Sequence, residues 1–286
     1  MPTLAPAGSG AGDQRSRPPT GEWRPVGRIE HQPVSECSGI VASRRYPGIF
    51  WVHNDSGHGA VLYAIEASGR LVAEVPVPGA TNSDWEDIAA DQQGHLFIAD
   101  TGNNFHVFPV RFVYQIEEPD PHADPVKPAR VIKRHVFTYP AERFDSEALF
   151  VRAEGMFVLP RQGGRETDVL RLAPGEGGKR VPQRATAVAA RNLTGADLSP
   201  DGRRLLVCSA YAAWVFALDE TGAVRKDVAP QTVRYPPGEI EACCFDGNDV
   251  LLVAESREIY RVAAADLAAG TRFRRPPEAP SEPPGR

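Results

Sequence analysis

Residues 86–104 read EDIAADQQGHLFIADTGNN, and this stretch decides the fold. It begins with an acidic residue and a short apolar strand. A polar turn that contains glycine follows, and then a second apolar strand that ends in polar residues. Four other stretches repeat this order of acid, strand, turn, strand and polar end. They begin at Glu36, Glu147, Asp197 and Glu241. A pattern that recurs in five successive stretches of the chain predicts a repeat architecture.

A third apolar strand follows each pair, and a fourth follows in the first four units. These short runs are rich in Val, Ile, Leu, Phe and Tyr and are bounded by Gly, Asp, Asn and Pro, which is typical of β-strands. Repeated units of four antiparallel strands are the blades of a β-propeller. We therefore predict an all-β chain that folds as a single β-propeller.

The number of blades follows from the two ends of the repeat. The last unit has only three strands, and residues 21–32 (GEWRPVGRIEHQ) supply a spare strand before the first unit. Pairing this N-terminal strand with the last blade would close the ring and remove exposed sheet edges. The count is then five blades. Six blades is the alternative, if the long second unit, 86–147, contains a degenerate blade.

The propeller domain is predicted over 21–270, between disordered tails at 1–20 and 271–286, because both tails are rich in Gly and Pro and poor in large apolar residues. The chain has no run of about 20 apolar residues, so we expect no membrane span. Its formal net charge of −5 argues against a nucleic-acid partner. We expect a monomer.

The compartment is left open by the sequence. The N-terminus has no apolar segment behind a basic start, so it does not predict a signal peptide. The chain as written is expected in the cytoplasm, and outside it if a leader is missing. The four cysteines are expected to be buried apolar side chains. A Cys37–Cys243 disulfide is the alternative in an oxidising compartment.

The repeat also places polar side chains at one mouth of the channel. In an antiparallel blade, the start of the first strand and the end of the second strand lie at the same edge. The predicted metal ligands are the acidic residues that open the five units, here called the acidic heads, and the residue that follows Glu86. They are Glu36, Glu86, Asp87, Glu147, Asp197 and Glu241. The predicted ligand-binding residues follow the second strands: Asn54, Asp55, Asp100, Asn103, Asn104 and Glu255.

A ring of carboxylates is the reason for predicting a cation. Two unit charges about 4 Å apart repel by roughly 4 kcal/mol at an effective dielectric constant of about 20. Oxygen ligands without His or Cys favour calcium, with magnesium as the alternative. In the competing interpretation, each acid only accepts backbone hydrogen bonds in its turn.

Three motifs carry a resemblance to known proteins. HNDSG at 53–57, DWEDIA at 84–89 and DTGNN at 100–104 resemble a bacterial β-propeller family. That family is similar in style to the SdiA-regulated proteins and, more distantly, to the esterase-like phytase propellers. The resemblance implies calcium binding, frequent export, and hydrolysis of phosphoesters or lactones by distant analogy. It places acidic or amide ligands at Glu36, Asn54, Glu86, Asp87 and Asp100.

This chain departs from the expected pattern near the end of the fourth unit's second strand. It has CSAY at 208–211, where a basic residue is expected, and this weakens the case for hydrolysis. A shared fold does not establish chemistry.

Three functions of different classes remain open. The first is a calcium-binding propeller that binds an unidentified ligand, such as a small molecule, at the channel mouth. The second is a metal-dependent hydrolase, with Glu86, Glu147 and Arg161 as the candidate catalytic residues. The third is a protein-interaction platform, which would require a large exposed apolar patch.

Overall fold

The computed structural model describes residues 19–104, 107–139, 145–161, 163–174, 180–238 and 240–276. Two short strands, β1 (Thr20–Glu22) and β2 (Gly27–Arg28), come before the repeat. The first repeat unit forms an antiparallel meander of four strands. These are β3 (Cys37–Ala42), β4 (Phe50–Asn54), β5 (Val61–Ile65) and β6 (Leu71–Pro76).

The next three units repeat the meander. The second contains β7 (Trp85–Ala90), β8 (His95–Asp100), β9 (Val110–Glu117) and β10 (Val131–Thr138). The third contains β11 (Ser146–Arg152), β12 (Gly155–Pro160), β13 (Thr167–Pro174) and β14 (Arg180–Val188). The fourth contains β15 (Gly195–Leu198), β16 (Arg204–Ser209), β17 (Ala212–Ala217) and β18 (Gln231–Arg234).

The last unit is completed by the N-terminal segment, as the sequence predicts. It contributes β19 (Ile240–Asp246), β20 (Asp249–Ala254) and β21 (Glu258–Val262). Strand β2 pairs antiparallel with β21 and supplies the fourth strand. A short helix α1 (Ala264–Ala269) and a final strand β22 (Arg272–Arg274) follow. Within the described residues, α1 is the only helix, and it is too short to cross a bilayer.

The ends of the described chain also pair with each other. Strand β22 lies parallel to β1 and to the outer strand β18. The predicted C-terminal tail therefore includes three residues that extend the fourth sheet, whereas 1–18 and 277–286 lie outside the described residues. The predicted domain boundaries stay a prediction.

The first strands of the five strand groups surround a common axis. Each contacts the first strand of the next group, in the order β3, β7, β11, β15 and β19, and β19 contacts β3 again. Five apolar clusters fill the spaces between neighbouring groups, and one of them joins the last group to the first. This closed ring of sheets is a β-propeller.

The all-β propeller and its closure by the N-terminal strand are confirmed. The count of five blades against six stays a prediction, since hydrogen bonding joins the strand groups into four sheets. Outer strands β10 and β14 of neighbouring groups pair at Phe137 and Arg180, which merges the second and third groups into one sheet of eight strands.

Burial explains why the inner strands are almost continuously apolar. Strands β8, β16 and β20 pack against neighbouring groups on both faces, so nearly every residue in them is buried. The outer strand β10 has one face toward solvent and mixes exposed and buried residues. Exposed residues are therefore more frequent in the outer strands than in β8, β16 and β20.

The cysteines are free and buried. Cys37 packs between the last and first groups, whereas Cys243 packs with Cys208 between the fourth and last groups. The alternative of a Cys37–Cys243 disulfide is therefore wrong for this structure, because the two side chains lie in different interfaces.

Two buried carboxylates bridge the inner strands. Asp87 on β7 accepts hydrogen bonds from the backbone N–H groups of Leu149 on β11 (2.8 Å) and Ala196 on β15 (3.1 Å). Asp197 on β15 accepts one from Phe245 on β19 (2.8 Å) and lies 3.6 Å from the Arg44 guanidinium, just after β3. Together they connect all five first strands or the turns that follow them.

Replacing Asp197 with Ala tests this bridging role. The change removes the acceptor of a buried N–H group and the ionic partner of Arg44, so we expect the free energy of unfolding to fall by about 3 kcal/mol. Urea unfolding followed by tryptophan fluorescence measures the loss. Asp227→Ala, which removes an exposed surface ion pair, is the control and should leave the unfolding midpoint unchanged. Equal midpoints for both variants would contradict the bridging role.

Candidate metal centre at the channel mouth

A shift in strand register marks the start of the first strand in four of the five groups. The residues at the shift are Ser38, Glu86, Glu147 and Glu241. A bulge of this kind bends the strand and redirects its side chain. In the fourth group the corresponding residue is Thr194, whose backbone N–H donates to the Cys208 carbonyl just before β15 begins. The residues at the bulges are therefore structurally equivalent in the five groups. The acidic heads are not equivalent as a set.

This register separates two of the predicted acidic heads from the other three. Glu36 lies two residues before its bulge position, and Asp197 lies three residues beyond Thr194. Three residues of extended strand span about 10 Å. Asp197 therefore lies deep along the channel with its backbone donors, while Glu36 is half-exposed and bonds to His58 (2.9 Å).

Five carboxylates gather at the mouth in two overlapping groups. Asp55, Asp84 and Glu86 form one group, and Glu86, Asp145 and Glu147 form the other. Within each group, the nearest ligand oxygens all lie within 4.8 Å of one another. That is about twice the 2.3–2.6 Å length of a calcium–oxygen bond, so the oxygens of either group can reach a single cation.

Glu86 is the member shared by both groups. It is only 4% exposed, and its Oε1 is buried without a hydrogen-bond partner in the described residues. Leaving a buried charged oxygen unsatisfied costs several kcal/mol. The donor set and the unpaired oxygen both fit a divalent cation.

Backbone contacts position the first group. Asp84 precedes β7, and its N–H donates to Asp100 Oδ1 (2.9 Å). The fully buried Arg111 holds the same Asp100 oxygen at 2.8 Å. Asp55 follows β4, where its N–H bonds to the Glu36 carbonyl (2.9 Å) and its own carbonyl accepts from Asn82 (2.7 Å). Asp100 therefore acts as a support for Asp84.

The loop after β8 completes the second group. The N–H of Asn103 donates to Asp145 Oδ1 (2.7 Å), and the Asn103 amide bonds to both backbone groups of Phe108. Arg161, directly after β12, donates to Glu147 Oε1 (2.7 Å) and has 47% of its side chain exposed. Glu147 is thus paired with an arginine side chain that also faces solvent.

Gly102 explains the glycine in the DTGNN motif. A Cβ atom at this position would lie 1.9 Å from Glu86 Oε1 and 2.6 Å from Asp84 Oδ2. Both distances are far shorter than a van der Waals contact, so only glycine leaves room for the two carboxylates.

Burial and mutual repulsion raise the pKa values of the cluster. Burial, together with the charges of Glu147 and Asp55, holds the pKa of Glu86 well above its usual range. Burial raises the pKa of Glu147 to about 8 against the opposing effect of Arg161. Burial and the Asp55 charge raise the pKa of Asp84 to about 6. Without a cation, the cluster takes up protons near neutral pH.

The predicted site residues divide into three sets. Glu86, Glu147 and Asp55 lie in the carboxylate groups. A second set supports the mouth through hydrogen bonds and consists of Asp100, Asn103 and Asn54. The Asn54 side chain bonds to the backbone of 33–36. Outside both groups, in the part of the chain described, lie Glu36, Asp87, Asp197, Glu241 and Glu255, and Asn104 offers an amide rather than a carboxylate. Of these, Glu241 is near enough to Glu147 for its charge to raise the Glu147 pKa. The roles proposed for these residues stay predictions.

Two members of the groups were missed by the sequence reasoning. Asp84 and Asp145 each stand two residues before a bulge glutamate, so D-x-E occurs at 84–86 and 145–147. The bulge at each glutamate lets its carboxylate meet that of the aspartate two residues before it. The sequence repeats the spacing as Glu239 and Glu241, of which Glu239 lies outside the described residues.

Comparisons with known proteins do not name a relative. No protein-family model matches the chain, and no curated protein matches it. A Kuenenia stuttgartiensis hydrazine synthase structure is 15% identical, with a TM-score of 0.38 over 77% of this chain and 56% of that one. The chain therefore spans little more than half of that protein. A nidogen/laminin complex is 9% identical, with a TM-score of 0.46 over 82% of this chain and 78% of that one.

These likenesses carry no argument about function. The propeller fold described above rests on the strand pairing and on the closed ring of apolar clusters.

Gly102→Ala should weaken cation binding without unfolding the protein. The new methyl group displaces the Glu86 carboxylate, so we expect calcium affinity to fall at least about tenfold by isothermal titration. Gly59→Ala, in the neighbouring mouth loop, is the matched control because its Cβ would meet only Val61 at 3.7 Å. Unchanged affinity in the Gly102 variant would place the cation elsewhere.

The metal-free protein should lose stability as pH rises from 6.5 to 8.5. Folding raises the pKa values of Glu86 and Glu147, so the folded state holds more protons than the unfolded state in this window and is destabilised as they leave. The buried imidazoles of His53 and His135, with pKa values of about 4, have the opposite effect only below about pH 6.5.

Melting curves in EDTA measure this dependence. We expect the melting temperature to fall by several degrees across the window in wild type and by less in Glu147→Gln. A melting temperature that rises with pH in wild type would contradict the raised pKa values.

Proposed function

We propose that this protein is a calcium-binding β-propeller that binds an as yet unidentified ligand at the carboxylate-lined mouth of its channel. The observation that carries the proposal is the buried Glu86 carboxylate, which has an oxygen without a hydrogen-bond partner among the described residues and belongs to both carboxylate groups. A bound divalent cation would satisfy this oxygen and remove the repulsion within the cluster.

Calcium suits the donor set better than other common cations. Every member of the two groups is a carboxylate, and His or Cys ligands are absent from them in the described residues. Hard oxygen ligands favour calcium or magnesium over zinc. Calcium accepts irregular geometry and 6–8 oxygens, whereas magnesium requires a near-ideal octahedron. Resemblance to the bacterial propeller family with these motifs supports the same choice.

The ligand is expected to be anionic or rich in oxygen. Arg161 is bonded to Glu147 and still presents about half of its side chain to solvent. A guanidinium at the rim of a cation site favours a ligand that carries a carboxylate, phosphate or similar group.

Bound metal and its effect on melting test the proposal. We expect elemental mass spectrometry to find calcium in protein purified without chelator, and EDTA to lower the melting temperature, since a ligand of the folded state stabilises it by mass action. Glu86→Gln should abolish both effects. Glu117→Gln, an exposed glutamate on β9 of the same blade, should retain them. Absence of metal, with no shift on adding calcium or magnesium, would exclude a cation site.

A metal-dependent hydrolase of phosphoesters or lactones is the second candidate. The observation that favours it is Glu147, whose pKa of about 8 is close to the range in which a general base works, beside the half-exposed Arg161. The cation would activate water, Glu86 or Glu147 would accept its proton, and Arg161 would neutralise charge that develops on the substrate.

Turnover separates the two candidates. A hydrolase should cleave members of a phosphoester and lactone panel in the presence of calcium, and Arg161→Gln should lower kcat/KM with metal content unchanged. A metal-loaded protein without turnover leaves the binding function.

A further inference from the structure

A groove of about 590 Å³ is lined by residues of the fourth and last strand groups, and none of the five mouth carboxylates lines it. One part of its wall is the segment 236–238, which follows β18, and another is Tyr260 on β21. Trp23, directly after β1, also lines it. Two prolines, a tyrosine and a tryptophan thus give this groove an apolar and aromatic surface.

The Trp23 indole is fixed in a stack of aromatic rings. It lies nearly parallel to the Tyr235 ring, with 4.6 Å between ring centroids, and to the Tyr260 ring, at 4.3 Å. Phe273 packs against it at an angle. Both faces of the indole are therefore covered, and its edge is what a ligand can contact. Because the stack is already ordered, its side chains lose little conformational entropy when a ligand binds.

Two side chains of the groove carry hydrogen-bond donors that are free. Neither Trp23 Nε1 nor the Tyr260 hydroxyl has a hydrogen-bond partner among the described residues, and neither atom is buried away from solvent. An N–H and an O–H beside apolar rings suit a ligand that offers carbonyl oxygens and apolar rings of its own. A proline-rich peptide is such a ligand, since proline has a backbone C=O group but no N–H group.

The described chain ends at the wall of this groove. Arg275 lines it and donates to the Pro237 carbonyl (3.2 Å), and Pro276 is the last described residue at this end. The sequence continues as PEAPSEPPGR (277–286), with prolines at every third position, 277, 280 and 283. A polyproline II helix has three residues per turn, so prolines with this spacing share one face of such a helix.

We propose that this groove binds the proline-rich segment 277–286 of the same chain. Such segments bind grooves lined with aromatic side chains, because their preformed conformation costs little entropy. The prolines of the shared face pack against the Trp23 and Tyr260 rings, and backbone carbonyl groups accept the two free donors. The segment begins two residues beyond Arg275, so its effective concentration at the groove is about millimolar. A contact that is weak for a free peptide therefore keeps the groove occupied.

Nuclear magnetic resonance signals of the indole N–H groups in the isotope-labelled full chain test the proposal. The chain has four tryptophans, and the signal of Trp23 is the one missing from Trp23→Phe. The test variant replaces the three prolines of the shared face, at 277, 280 and 283, with Ala. We expect the Trp23 signal to shift by more than its linewidth in this variant. The signals of Trp51 and Trp85, whose indoles have partners within the fold, should stay in place.

A matched control changes three residues on another face of the same segment. It combines Glu278→Ala, Ser281→Ala and Pro284→Ala, and it should keep the wild-type Trp23 signal. A synthetic peptide with the sequence of 276–286 should return the Trp23 signal of the three-proline variant toward its wild-type position. The peptide should bind this variant at least about tenfold more tightly than it binds wild type, whose groove is occupied.

An unchanged Trp23 signal in the three-proline variant would overturn the proposal. Equal affinity of the peptide for wild type and variant would also overturn it and leave the groove open to a proline-rich partner. A wild-type Trp23 signal that moves with protein concentration, together with a dimer in sedimentation, would place a second copy in the groove instead. Both variants change residues beyond the last described strand, so equal melting temperatures are expected and show that a shifted signal is not a lost fold.

Discussion

The central constraint on this fold is that the inner edge of every blade carries backbone N–H and C=O groups that no further strand can cover. Unpaired backbone groups away from water are costly, and open sheet edges are templates for wrong pairing. Asp87 and Asp197 meet this constraint within the channel, where their carboxylates accept N–H groups from the first strands of other blades. The ring is therefore held by polar bonds along its axis and by apolar clusters between its blades.

The same geometry concentrates charge at the mouth. First strands converge on the axis, so a register shift at the start of a strand directs its side chain toward those of the neighbouring blades. Where that residue is Ser38 or Thr194, its hydroxyl donates to a carbonyl of the next blade. Where it is Glu86 or Glu147, the side chain lies among other carboxylates, and burial and their charges raise its pKa. One structural position thus carries a hydrogen-bond donor to the next blade in some blades and a member of the carboxylate groups in others.

A layer of neutral and paired groups behind the mouth keeps the carboxylates in place. The buried Asp100–Arg111 pair orients the backbone of Asp84, Asn103 orients Asp145, and the absence of a side chain at Gly102 leaves space for Glu86. This layer comes largely from the loop after β8. The polar motif around Gly102 thereby contacts both the second and the third blade. A site shared between two blades requires such an arrangement.

The sequence by itself determined the all-β repeat, the propeller, the closing N-terminal strand, and the carboxylates of Glu86, Glu147 and Asp55 near one mouth, because strand periodicity and turn residues are local properties of the chain. It could not show which of the acidic heads lie at the mouth, because a shift of one residue in strand register decides whether a side chain faces the mouth, the channel or solvent. Only the tertiary structure placed Asp197 among backbone donors, left Glu36 half-exposed, and brought Asp84 and Asp145 to Glu86. Those contacts join residues far apart in the chain, and they depend on how the blades pack around the axis.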